Sequence, residues 1–204
     1  MDINSIQKSI YDSLVGDGCE LREIIQKNSI SKLDLAPAKI SLAKLKSNLV
    51  GQFDVHFRLK DKLIKVRNDY DIIVIDTPPT LGLITVNALV ACSHLLIPIQ
   101  SSYFALEETD DLLETVKRIK SRANPDLAML GVLITPHEKR TILGKDIRSR
   151  ISETFGSKVF ETVISRSVRL EESPAYKKSI FSHAPDSSGA IEYIRLSKEV
   201  LNRG

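Results

Sequence analysis

The sequence predicts an α/β protein with a mostly parallel sheet and helices on both faces. Three observations predict it. From Tyr70 onward, short apolar runs alternate with longer segments of helical periodicity, the order that produces parallel strands joined by crossover helices. The runs are continuously apolar rather than alternating, which suits strands buried on both faces. The length of 204 residues, with 42% hydrophobic and 27% charged residues, suits one globular domain with a sizeable core.

The elements follow in order. Ile6–Leu14 and Leu21–Gln26 have helical spacing and are separated by the break Gly16-Asp17-Gly18. Leu33-Asp34-Leu35-Ala36-Pro37 reads as a short strand closed by proline. Leu42, Leu45 and Leu49 mark one helical face, and Leu59, Leu63 and Val66 mark another with a basic outer side. Tyr70–Asp76 is a strand. Leu81–Cys92 is a helix with an apolar face, and His94–Ile99 a second buried strand. Ala105–Arg122 is a long amphipathic helix, acidic early and basic late, an order that complements the helix dipole. Leu127–Thr135 is a third strand interrupted only by Gly131. Leu143–Phe155 is a helix with Gly156 as its C-terminal stop. Lys158–Ile164 is a fourth strand, Ser165–Lys178 a polar basic stretch, and Ser188–Leu201 the last helix.

The most informative stretch is Asp71–Pro79. Ile72–Ile75 is a run of four apolar β-branched residues, and it ends at Asp76 before Pro78 and Pro79, which cannot continue a central strand. A carboxylate at the C-terminal end of a parallel strand stands where open α/β sheets bind ligands. There it can hold Mg²⁺ through water beside a phosphate. Asp before a proline loop is equally well explained as a strand-end turn former.

Bulk composition narrows the remaining classes. A net charge of +3 permits contact with nucleic acid or an acidic surface without requiring it. Cys19 and Cys92 lie far apart in dissimilar contexts and give no metal spacing, and a reducing cytosol is the default expectation. His56, His94, His137 and His183 are isolated, without ligand spacing. No apolar run is long enough to span a membrane, and the polar start Met1-Asp2-Ile3-Asn4-Ser5 has no secretory character.

Taken in order, the blocks carry a family resemblance. They are Leu33–Ala38, Tyr70–Leu83, Asn87-Ala88-Leu89, and Ile97-Pro98-Ile99-Gln100 leading into Tyr103–Glu107. Gly131–Thr135 with Arg140-Thr141, Val168-Arg169-Leu170, Glu172-Ser173-Pro174 and Ser188-Gly189-Ala190 complete the series. The chain resembles the ParA/Soj-type partition ATPases, deviant-Walker P-loop proteins related to MinD, over nearly its whole length. The resemblance implies a P-loop NTPase-like fold, ATP and Mg²⁺ as cofactors, and a cytoplasmic, nucleoid-associated protein. It also implies a ParB-like partner, non-specific DNA and the capacity to form homodimers. No membrane contact is expected, since Ser197–Gly204 has no amphipathic membrane helix.

The family opens with a strand, a glycine-rich phosphate loop carrying two lysines and a threonine, a helix and a second strand. These 204 residues contain no such segment. Gly16-Asp17-Gly18 precedes no Lys-Ser or Lys-Thr pair and follows no apolar strand. The missing β-α-β unit amounts to roughly 30 residues or more. The resemblance therefore implies a single domain over residues 1–204, incomplete at its N-terminus, and a truncated copy or a longer gene product is the expectation. Phosphoryl transfer rests on positioning and charge stabilisation by that loop. ATP hydrolysis by this polypeptide is accordingly not expected, and ATP binding by it alone is expected to be impaired. A further expectation is an exposed apolar edge at Ile72–Ile75. A catalytically inactive remnant that binds DNA or another subunit is the competing reading.

The resemblance assigns site residues. Asp76 is the Walker B-like carboxylate that holds Mg²⁺ through water, and Thr77, Pro78 and Pro79 form the switch. Thr135 and Pro136, with Ser165 and Ser167, stand at strand ends that line the adenine side. Ser165 and Ser167 stand where the family usually has proline and asparagine, and all four are equally well explained as ordinary loop residues. Two basic clusters are candidates for DNA phosphate contact: Lys139, Arg140, Lys145, Arg148 and Arg150, and Arg166, Arg169, Lys177 and Lys178. Either cluster is also explained as a solvated face, and Glu171 and Glu172 dilute the second. Gln100 and Tyr103–Glu107, at the C-terminal end of the second strand, are candidate dimer or pocket positions, and Tyr103 and Phe104 are equally well explained as core.

Overall fold

β1 (His94–Ile99) and β2 (Ala128–Ile134) pair in parallel, with α6 (Ala105–Arg122) as the crossover between them. The computed structural model describes residues 6–16, 18–28, 32–100, 105–135 and 142–204. They divide into two compact units: Met1–Cys92 with Arg118–Pro125, and Ser93–Lys117 with Asp126–Gly204.

The second unit holds the sheet. Leu95 faces Met129 and Leu96 faces Gly131, so Leu130 is an extra residue and β2 carries a bulge there. Pro98 has no N–H to donate, which an edge strand tolerates, and among the described residues β1 pairs only with β2. Ile97, Ile99, Val132 and Ile134 pack with Val163 and with Ile147 and Ile151 of α7 (Ile142–Phe155). Leu133 packs instead with Phe160, Ile164 and Leu196, the last on α10 (Ser188–Arg203). Helices thus cover both faces, as the sequence predicts. Burying each such aliphatic side chain is worth about 1.5–3 kcal/mol, an upper figure because the unfolded chain already buries some apolar surface. α7 ends at Gly156 with φ +53°, a left-handed stop that glycine adopts without penalty. The short helices α8 (Val168–Glu172) and α9 (Ile180–His183) lie between the sheet segment and α10.

The first unit is helical: α1 (Ile10–Val15), α2 (Leu21–Ile24), α3 (Leu45–Asn48), α4 (Arg58–Ile64) and α5 (Leu83–Ala91). A 3₁₀ turn, Ile40–Lys44, leads into α3, so the Leu42–Leu49 face is helical in two styles. Leu14, Leu45, Leu49, Leu59 and Ala88 form its main core. Cys19, Leu21, Ile24 and Val66 form a second cluster. α5 is apolar nearly all round, which suits the central helix of a bundle. The buried Asn87 side chain ties it to its neighbours. Its Oδ1 accepts from Leu59 N–H (3.1 Å), and its Nδ2 donates to the carbonyls of Val55 (2.9 Å) and Leu83 (3.0 Å). Asn124 Nδ2 donates to the carbonyls of Leu89 (2.9 Å) and Cys92 (2.7 Å), closing the C-terminal end of α5.

Three predicted strands differ from the structure. Leu33–Ala36 is reduced to one antiparallel bridge, Leu35 with Gln26. Tyr70–Asp76 is extended but joins no ladder, and it is not buried: Ile72 is 60% and Val74 86% exposed. The composition of a strand is present, but no described segment pairs with it. Lys158–Ile164 meets β2 at one bridge, Val159 with Val132, and through Phe160 N–H to Val132 O (2.9 Å) and Ile164 N–H to Ile134 O (3.1 Å). Side chains of α10 take N–H groups that a neighbouring strand would otherwise bond.

Candidate functional site

Asp76 closes the extended segment of the first unit. Tyr70 begins the segment with its hydroxyl donating to Asp34 (2.9 Å), and Ile75 turns inward to the Leu14–Leu45 core. The Asp76 side chain is exposed and has no ion pair among the described residues. Thr77 is half-buried and Pro78 and Pro79 are exposed. The loop then reaches Thr80, whose carbonyl accepts from Thr85 Oγ1 (2.5 Å), and Gly82, which caps α5 with no side-chain hydrogen bond. A carboxylate in this position is available to hold Mg²⁺ through water. Among the described residues no group of three or more His, Cys, Asp or Glu side chains is placed to hold a metal ion, so Asp76 would act only beside a ligand that brings the ion. A lone exposed carboxylate is of the chemistry that a largely water-bound Mg²⁺ takes.

In the second unit, Thr135 ends β2 and donates its N–H to Ile99 O (2.9 Å). Ser165 ends the neighbouring segment and is held by Glu192 of α10. One Glu192 oxygen accepts from Ser165 N–H (2.7 Å), the other from Ser165 Oγ (2.7 Å). Glu192 is only 6% exposed, so these charge-assisted bonds offset the cost of burying its charge. Ser167 caps α8, its carbonyl accepting from Leu170 and Glu171. Thr135, Ser165 and Ser167 thus belong to the same unit, and Asp76 to the other. Pro136 lies outside the described residues.

Two turns along α10, Glu199 holds the same segment from its other end. Its carboxylate accepts from Glu161 N–H (2.8 Å) and Thr162 N–H (3.0 Å) and pairs with Arg203 (2.8 Å). Arg203 also donates to the carbonyls of Lys158 (3.1 Å) and Val159 (2.9 Å) and lies 4.2 Å over the Phe160 ring. Burial pushes the Glu199 carboxyl up, but the Thr162 and Glu161 donors and Arg203 outweigh it and hold the group below its ordinary 4.5. A carboxyl depressed in the folded state stabilises the fold fully above its unfolded value and loses that contribution as pH falls through the folded one. Wild-type stability should therefore drop on acidification below 4.5. Glu199→Gln should be less stable at neutral pH and have a flatter acid limb. Urea midpoints across pH check this, and parallel acid limbs in the two proteins would refute it.

The basic candidates separate. Arg148 and Arg150 are exposed on α7. Arg166 pairs with Glu171 (3.4 Å) and Arg169 with Glu172 (3.0 Å), so the acidic neighbours offset half of the second cluster. Lys177 and Lys178 are exposed, with Lys177 at φ +52°. Lys139, Arg140 and the Lys145 side chain lie outside the described residues, as do Tyr103, Phe104 and the Glu107 side chain; Gln100 is exposed at the end of β1.

Sequence reasoning missed Glu192, Glu199, Arg203, Asn87 and Asn124. A signal existed for the first three. Glu192, Glu199 and Arg203 recur at helical spacing alongside Leu196 and Val200, so charges share the apolar side of an amphipathic helix.

Comparison with known proteins gives the lineage. A model of the AAA domain family AAA_31 matches residues 1–129. The sporulation initiation inhibitor protein Soj of Bacillus subtilis is 41% identical over 199 residues, covering 98% of this chain and 78% of Soj. The chromosome partitioning protein ParA of Myxococcus xanthus is 36% identical over 200 residues, covering 98% of this chain and 70% of its own. A crystal structure of cobyrinic acid a,c-diamide synthase from Mycobacterium smegmatis, with bound ATP analog and magnesium, aligns at a TM-score of 0.82 and 27% identity. That alignment covers 98% of this chain and 74% of the other. Identity of this order along nearly the whole chain, on a shared P-loop NTPase fold, shows common descent: the chain belongs to the ParA/Soj-type partition ATPase family.

Proposed function

We propose that this protein acts in plasmid or chromosome partitioning as a ParA-type subunit that contacts nucleoid DNA and a ParB-like partner, and that the 204-residue polypeptide does not itself hydrolyse ATP. The observation that carries the reading is Asp76, an exposed carboxylate at the end of an extended apolar segment, in a sequence with no glycine-rich Lys-Thr or Lys-Ser loop. Asp76 would hold Mg²⁺ through water, Thr77, Pro78 and Pro79 would sense the nucleotide, and Thr135, Pro136, Ser165 and Ser167 would border the base. ATP with Mg²⁺ supplies the phosphoryl chemistry when bound. Holding the β- and γ-phosphates needs backbone N–H groups and lysines at a phosphate loop, and Asp76 cannot replace them.

DNA contact would fall to Arg140, Arg148, Arg150, Lys177 and Lys178, with Arg166 and Arg169 weakened by their acidic partners. Such contacts are read through phosphate charge and weaken with salt. A cytoplasmic, nucleoid-associated location and a homodimer accord with this reading. No helix among the described residues is long and apolar enough to cross a membrane. A second reading is a catalytically inactive module that binds DNA or another subunit, in line with the lack of a glycine-rich Lys-Thr or Lys-Ser loop in these 204 residues.

Release of radiolabelled phosphate from ATP tests the proposal. Wild type and Asp76→Ala should give the same background rate. Turnover by wild type above that control overturns it.

A further inference from the structure

Tyr176 stands on the surface of the second unit and is 63% exposed, in a turn that is otherwise held firmly. Its N–H donates to the Glu172 carbonyl (3.3 Å), Lys177 N–H to Pro174 O (3.0 Å) and Lys178 N–H to Ser173 O (3.1 Å). Beneath the ring lies His183, whose side chain is only 15% exposed. The two rings stack, with centroids 5.0 Å apart and planes at 21°. One face of the tyrosine is thus occupied, which fixes the ring, and the other looks into solvent. A ring already immobilised loses little side-chain entropy when a flat group settles on it.

Charge says what that flat group is attached to. Lys177 and Lys178 follow directly, both exposed and without an ion pair among the described residues. Lys177 sits at φ +52°, where glycine is the less strained residue, so a cation stands where the backbone does not favour a side chain. Arg169 adds less, being paired with Glu172 (3.0 Å). An open aromatic face beside unpaired cations suits a π-surface carried on phosphates, a nucleobase of single-stranded nucleic acid. Inside a duplex both faces of a base are covered by its neighbours. There Tyr176 would have nothing to stack on, and the lysines would read phosphate alone.

We propose that Tyr176, with Lys177 and Lys178, is a stacking platform for an unpaired base and gives this chain an affinity for single-stranded nucleic acid. The inference rests on the DNA contact proposed above and adds to it the base and the strandedness.

Fluorescence anisotropy of the full chain tests it, with a short fluorescein-labelled oligothymidylate, alone and annealed to oligoadenylate. Tyr176→Ala should weaken single-strand binding at least about fivefold, the lower end of what one base–aromatic stack contributes, and leave duplex binding unchanged. Tyr176→Phe keeps the ring and should bind the single strand as wild type does. Lys178→Ala should weaken binding of both forms and flatten its salt dependence. Both positions are exposed, so these variants leave the core intact. Duplex binding without single-strand binding, a Tyr176→Ala loss that is absent or equal for the two forms, or an unchanged Lys178→Ala would each overturn the platform and leave the DNA contact standing. Binding of neither form would overturn both.

Discussion

Replacing Gly131 with alanine should destabilise the β1–β2 unit by about 3 kcal/mol, the upper part of the range for overpacking a filled core. The glycine is needed for space, not for an unusual backbone angle. A methyl there would sit 2.6 Å from the Lys158 carbonyl oxygen, 2.6 Å from a Phe160 ring carbon and 2.8 Å from an Arg203 nitrogen. Two of these are side-chain atoms that have somewhere to go. The Lys158 oxygen is backbone, and it accepts from Arg203. Moving it pulls apart the Arg203 bonds to Lys158 and Val159 and, through Glu199, the hold on Glu161 and Thr162. The bulge at Leu130 places Gly131 under this crossing. Arg203→Ala alone should cost less, and the double variant should be no more stable than Gly131→Ala, because the carbonyl contact survives. Urea midpoints of the three variants check the order. A neutral Gly131→Ala, or its rescue by Arg203→Ala, would show that the side chains and not the carbonyl set the limit.

That crossing also explains which parts of the fold were legible. β1, β2, α6, α7 and α10 follow from local pattern: continuous apolar runs, helical periodicity, an acidic-to-basic gradient and Gly156 as a stop. Tyr70–Asp76 shows the limit of such pattern. Its residues carry strand propensity, but strand propensity is fit to a pleated, paired surface, and no described segment supplies the pairing. Lys158–Ile164 fails as a regular strand for the opposite reason. Its Phe160 and Ile164 N–H groups reach β2, but those of Glu161 and Thr162 are taken by the Glu199 carboxylate on a helix far along the chain, and no local signal reveals what a distant Glu will meet. The site divides in the same way. Asp76 is legible because proline fixes where the apolar run must end. Ser165 is legible only as a polar residue after a strand, while the carboxylate that orients it, Glu192, looks in sequence like an ordinary helix-surface residue.

Asn87→Ala should cost the first unit about 2–4 kcal/mol, from buried groups left unsatisfied at about 1–3 kcal/mol each. Phe57, the residue that precedes α4, caps nothing, so the Leu59 N–H has no local partner and depends on Asn87 Oδ1. The same amide satisfies the Val55 carbonyl, and it is 1% exposed, so water cannot substitute without opening the α4–α5 contact. Asn87→Leu should be no better than Ala, since it restores volume without either bond. Asn87→Asp separates the two halves of the interaction. Its carboxylate can still accept from Leu59 N–H at the positive end of α4. It also faces the Val55 and Leu83 carbonyls with no proton to give them. Burial and those carbonyls favour the protonated form, so the Asp variant should be least stable at neutral pH and recover as the pH falls. Urea titrations at neutral and acidic pH distinguish the outcomes. An Asp variant that weakens on acidification in step with wild type would mean that the acceptor bond to Leu59 alone carries the stabilisation and the two donor bonds carry none.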